Sequence, residues 1–291
     1  MTPEELAAKL ERTIIVANEI LGTGIIKVQD SLYPQIVKVL KDLELDEEGL
    51  ILQNAGNRAI INKSLTVLDQ KVASSQYQNI VENYLKTIPA VDALSVTYFE
   101  ALSDAFKPNR QFLASLQKQT VKQVEDLLFN QGFEASVKIP LSIVLNTSIN
   151  SGGHFTDLLD SVRTFIKGTT DIDGKLLSHT KTITKSVLFN YSRAFHHAVS
   201  NDLGLVWYAY SGGLMRSSRD FCIDKAGHYY LKSEIETWPG QDWAGKVSGT
   251  NASTIFIFAG GWNCSHSIIP VHESIVPQED IISSKERGFV S

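Results

Sequence analysis

Four side chains in the last third of this chain are of the types that bind a soft divalent metal: Cys222, His228, Cys264 and His266. Tetrahedral zinc takes thiolate and imidazole ligands, and a Cys264-x-His266 pair on an extended segment turns both side chains to one face. No Cys-x2-Cys or His-x3-His pair is present, and 42 residues separate the two cysteines. The residues alone therefore leave several readings open. Cys222 and Cys264 can be buried thiols used as small apolar residues, with no cofactor at all. They can be bridged, or they can share a structural zinc with the two histidines. Cys222 can also be a nucleophile with His196, His228 or His266 as its base, although its flanks match no thiol-protease pattern. A Gly-x-Ser-x-Gly elbow, a Walker loop and a dinucleotide fingerprint are all absent, so the expectation is a protein that is not an enzyme.

A second group is basic. Lys181, Lys185, Arg193 and Arg216 gather with His197 in a stretch holding Asp202 as its acid, near Tyr and Trp. Such a face suits DNA or an acidic protein surface, and it equally suits a solvated helix. Arg219-Asp220 reads as a fold-holding pair, because a guanidinium can tie loop carbonyls or a carboxylate bidentately. Gly260-Gly261 supplies backbone freedom for a turn rather than a phosphate cradle.

The elements that must position these groups fall into two bodies. At 291 residues, 43% hydrophobic and 20% charged, the chain is long enough for about two cores. The acidic excess behind the net charge of −5 lies entirely in residues 1–175, whereas all four Trp lie beyond them. A generic nucleic-acid coat is disfavoured by that charge, and no apolar run reaches the roughly 18 residues of a membrane span. Residues 1–175 read as helical. Thr2-Pro3-Glu4-Glu5 is a capping box, and Leu6, Leu10, Ile14, Ala17 and Leu21 continue one apolar stripe to an expected end at Gly22 or Gly24. Further breaks are expected at Asn54–Asn57, Pro89, residues 107–109 and residues 151–153. The acidic run from Asp42 to Glu48 reads as a solvated loop, since it lacks the glycine and terminal Glu of a calcium loop. A helix is expected over 178–200, then a strand at LVWYAYSGG, a strand or short turn at HYYL, a short helix at KSEIETW, and extended segments at STIFIFAGG and SHSIIPV. The fold class is α+β: a helical domain over 1–175, a small mixed domain over 176–275 and a polar tail over 276–291.

The mixed domain resembles the phage Mu F-like minor head proteins, the head-morphogenesis family. The resemblance rests on a helix over 181–199, the strand Trp207–Gly213, Ser218-Arg219-Asp220-Phe221-Cys222, Gly227-His228-Tyr229, Glu234-Ile235, and Gly260-Gly261-Trp262-Asn263-Cys264-Ser265-His266 followed by Pro270-Val271. It covers about residues 178–272. His228 and Ser265 stand where the family carries Lys and Arg, and Lys185-Ser186-Val187 stands where it carries Arg-Thr-Glu. The resemblance implies a low-copy component of a tailed-phage head, made in the host cytoplasm and residing in the virion near the portal. The implied partners are the portal protein, other capsid or scaffold proteins and double-stranded DNA, and no membrane. The rival from another class is a nuclease or toxin-like enzyme delivered with the genome.

Overall fold

In the computed structural model, residues 1–289 are described. The expected capping box forms. Thr2 N–H donates to Glu5 Oε2 at 2.9 Å and Glu5 N–H to Thr2 Oγ1 at 3.3 Å, opening helix α1 at Pro3–Leu40. Helix α2 (Ala55–Val72) starts at Asn54, whose Oδ1 accepts from Asn57 N–H at 2.8 Å. Then come α3 (Ser75–Leu85) and α4 (Ile88–Leu102). Pro89 lies in the first turn of α4 and opens it, because an amide proton is not needed there.

Contrary to expectation, α1 does not end at Gly22 or Gly24. A Cβ on Gly24 would stand 2.8 Å from Ile80 Cγ2, so the missing side chain is what lets α1 and α3 approach. Packing along α1 offsets the backbone entropy that glycine adds.

The chain continues through α5 (Arg110–Phe129), the short α6 (Gln131–Phe133), a π-helical turn at Glu134–Lys138, α7 (Ile139–Asn150), α8 (Phe155–Lys167) and α9 (Lys175–Asp202). Beyond α9 lie β1 (Trp207–Ser211), α10 (Asp220–Ile223), β2 (Tyr229–Leu231), α11 (Lys232–Ile235), α12 (Ile255–Phe258), β3 (Ser267–Val271) and α13 (Gln278–Glu286). The protein is α+β, a mostly helical N-terminal part followed by a small mixed region with a three-stranded antiparallel sheet. Among the described residues, no helix is long and apolar enough to cross a membrane.

The compact units do not fall at residues 175 and 275. One combines 1–16, 87–120 and everything from 184 onward; the other combines 17–86 and 121–183. The second unit is helical. Its part of α1 buries Leu21, Ile25, Val28, Leu32 and Ile36 at 0–2% exposure. Polar ties add to it: Gln29 Oε1 accepts from Leu177 N–H at 2.6 Å, and Tyr77 Oη donates to Leu128 O at 3.1 Å. In the acidic run, Asp46 Oδ1 accepts from the Glu48 and Leu50 amides at 3.0 and 2.8 Å, forming a loop beside α2.

The first unit carries the sheet, ordered β2–β1–β3, with Tyr208 opposite Tyr230 and Pro270, and Tyr210 opposite Ile268. Strand alternation sorts its faces. Tyr208, Tyr210, Tyr230 and Ile268 join a core with Phe221, Cys222, Trp238, Phe256 and Cys264, while Trp207 and Val271 pack with Val276. Residues 1–16 and 87–120 belong here because they close the remaining apolar surface. Leu6, Tyr98, Phe99 and Phe106 pack with Phe195, Val199 and Ile269, and Tyr98 Oη donates to Pro270 O at 2.5 Å.

Two further expectations are corrected. STIFIFAGG holds a helical turn, α12, rather than a strand. Asn251 Oδ1 accepts from the Ser253 and Thr254 amides at 3.0 and 3.1 Å, a turn that leads into α12 and that a short apolar run does not reveal. The expected tail is folded through residue 289, and its positions 290–291 lie outside the described residues. In α13, Asp280 and Ser284 are buried, Ser284 Oγ donates to Glu234 Oε2 at 3.0 Å, and Arg287 Nε pairs with Glu234 Oε1 at 2.8 Å.

Candidate functional site

Cys222, Cys264 and His266 meet in the core of the first unit, with one ligand-type atom from each lying within 4.8 Å of the others. Three local devices bring them there. Cys222 sits on α10, whose start is set by Arg219: the Cys222 amide donates to Arg219 O at 2.8 Å. The Arg219 guanidinium reaches across to the loop before β3, donating to Gly260 O at 3.2 Å and to Trp262 O. Trp243 Nε1 donates to the same Gly260 carbonyl at 3.0 Å. The Cys222 and Cys264 segments are thereby laced together, while the neighbouring Asp220 stays exposed in the first turn of α10.

Glycine makes room for the sulfurs. A Cβ on Gly260 would lie 2.4 Å from Cys222 Sγ, 2.9 Å from Cys264 Sγ and 3.1 Å from Tyr210 Oη. Gly261 adopts φ +96° and abuts Gly245 O, a left-handed turn that a side chain would strain.

The third device is Arg193, 2% exposed on α9. It donates to Asn190 Oδ1 and Ile257 O, both at 3.1 Å, to Cys264 O at 2.8 Å and to His266 O. The expectation that Arg193 faces DNA or a partner is therefore wrong. The face of α9 that carries it packs against the Cys264–His266 segment, and its Nη2 donates to two carbonyls of that segment. Burial lowers its pKa, opposed by the nearby Cys264, Tyr210 and Cys222. Its Nε has no hydrogen-bond partner.

The thiols divide their chemistry unequally. Cys222 is pushed up by its hydrogen bond to Cys264 and by burial. Cys264 is held well below the usual thiol range, first by the hydrogen bond from Cys222 and then by His266 and Arg193, against burial. The two sulfurs are thus shifted in opposite directions by their mutual hydrogen bond. Tyr210 Oη donates to Cys222 Sγ at 3.4 Å and lies 3.9 Å from Cys264 Sγ, while its ring stacks on His266 at 5.4 Å. His266 Nδ1 faces Cys264 Sγ at 3.7 Å, and its Nε2 is buried without a partner. Both cysteines are free.

His228, expected as a fourth ligand, is elsewhere. Its side chain is 56% exposed, and Nδ1 lies 3.0 Å from Asp280, which also accepts from Tyr229 N–H at 3.3 Å. The turn before β2 directs it toward α13, away from the two sulfurs.

The remaining basic candidates are scattered. Lys181 belongs to the second unit and pairs with Asp173 at 2.7 Å. Lys185 is exposed on α9, and Arg216 is exposed in the loop after β1. His197 is half-buried and stacks on Phe256 at 4.4 Å; burial, then Lys232, lowers its pKa. Residues missed from the sequence are Tyr210, Arg193 in its buried role, and Trp243. Strand alternation in Trp207-Tyr208-Ala209-Tyr210 could have placed Tyr210 on the side opposite Trp207. The chain matches no protein-family model, no curated protein and no solved structure.

Proposed function

We propose that the chain is a non-enzymatic minor head component of a tailed bacteriophage, placed in the head interior near the portal. One observation supports this reading. Arg219, Cys222, Gly260, Cys264 and His266, the separated elements that carry the resemblance to the Mu F-like proteins, lie together and are tied by the Arg219 and Arg193 hydrogen bonds. A module fixed in this way suits a structural part that docks as a unit. The partners are the portal protein and other capsid or scaffold proteins. For packaged double-stranded DNA, Lys185 and Arg216 remain as exposed cations, whereas Arg193 does not.

The test is co-sedimentation of the full chain with the portal protein of its phage. Association at micromolar concentration is expected, and failure to associate counts against the head role. A DNA contact would weaken steeply with added salt. Metal-dependent nuclease activity, lost in a His228→Ala/His266→Ala variant, would instead favour an enzyme delivered with the genome.

A further inference from the structure

We infer that Cys222, Cys264 and His266 form a structural zinc site. The donors are two sulfurs and one imidazole, the set that tetrahedral zinc prefers. With Zn–S at about 2.3 Å and Zn–N at about 2.1 Å, two ligands on one tetrahedral ion lie about 3.6 Å apart. The observed separation of Cys264 Sγ and His266 Nδ1 is 3.7 Å, and Cys222 completes a triangle within 4.8 Å. All three residues are buried, at 2 to 3% exposure, so the ion would sit in a closed core site.

The surroundings orient ligands rather than fill space. Arg193 holds the carbonyls of both Cys264 and His266, and Arg219 ties the Cys222 segment to the carbonyl of Gly260. These contacts fix the backbone segments that carry the ligands, while the His266 ring keeps its Nε2 without a partner. Gly260 leaves no atom where the two sulfurs converge. Three protein ligands leave one tetrahedral position to fill, and the Tyr210 hydroxyl lies 3.4 and 3.9 Å from the sulfurs. Zinc is held by both sulfurs as thiolates, so each proton that they carry passes to solvent on binding, and the two thiolate charges offset the dication beside Arg193. The inference does not depend on the head role, because metal content is read without any partner.

The experiment uses the full chain, purified under reducing conditions, loaded with zinc and dialysed, with metal measured by elemental analysis. One zinc per chain is expected. His228→Ala should keep it, and Cys222→Ser and Cys264→Ser should lose it. Cobalt substitution covers the case in which the serine variants misfold. The wild-type chain should show tetrahedral ligand-field bands with thiolate charge transfer, and His266→Cys should bind cobalt with stronger charge transfer. Substoichiometric zinc after loading would overturn the inference. So would zinc retained by a Cys222→Ser/Cys264→Ser chain, or a cobalt spectrum unchanged in His266→Cys.

Discussion

His196 should make the sheet-bearing unit sensitive to mild acid. The ring is 2% exposed on α9, stacked on Tyr98 at 5.4 Å and edge-on to Phe99 at 5.3 Å, with Nε2 3.3 Å from Ser95 Oγ. Burial lowers its pKa from 6.5 to about 3. Above pH 6.5 the imidazole is neutral in both the folded and the unfolded chain, so its titration costs nothing there. As pH falls below 6.5 the unfolded chain takes up a proton that the folded chain refuses, until about pH 3. Stability is therefore lost at about 1.4 kcal/mol per pH unit in that window. Between about pH 7.5 and pH 5 the loss from this one group is about 2 kcal/mol. Substituting His196→Phe keeps a ring in the aromatic cluster and removes the titration. All four tryptophans, Trp207, Trp238, Trp243 and Trp262, belong to this unit, so Trp fluorescence during urea unfolding reports on it directly. Wild type should lose about 2 kcal/mol more than His196→Phe over that pH step. Equal losses in the two proteins would refute the reasoning, since every other titrating group is common to both.

Gly260→Ala should lower the unfolding free energy read from the same fluorescence by about 1–3 kcal/mol, because its Cβ would fall 2.4 Å from Cys222 Sγ. Gly213→Ala, whose added Cβ meets nothing within 4 Å, should change stability by less than about 0.5 kcal/mol, and the contrast between them is the measurement. In the other unit, Asn57 is 1% exposed; its Oδ1 accepts from Glu44 N–H at 2.8 Å, and its Nδ2 donates to Glu44 O at 2.9 Å and Leu52 O at 2.7 Å. Asn57→Ala should cost about 3 kcal/mol and raise hydrogen exchange at the Glu44 amide.

Where one or two neighbours decide conformation, the sequence was sufficient. The Thr2–Glu5 capping box, the α1 stripe, the helix around 178–200 and the strands beginning at Trp207, Tyr229 and Ser267 all follow from short-range pattern. The Cys264-x-His266 spacing likewise announced a pair pointing one way, and the structure has them 3.7 Å apart. Arg219 as a tie for loop carbonyls was also legible, because an isolated guanidinium beside glycine-rich turns has few other uses.

Tertiary structure decided the rest. Arg193 reads as one more cation on a basic helix, and only the packing of α9 against the Cys264–His266 segment turns it into a buried clamp for that backbone. His228 and Cys222 are near neighbours in sequence, yet one faces Asp280 on α13 and the other faces Cys264. Gly24 has the composition of a helix end and becomes a helix interior because Ile80 needs its space. Residues 1–16 and 87–120 join the sheet-bearing unit because Leu6, Tyr98 and Phe99 bury apolar surface against residues about a hundred or more positions away. Hydrogen-bonding and rotamer preferences act over three or four residues and are written locally. Burial and partner choice depend on which distant surfaces close on one another, and that is settled only when the chain folds.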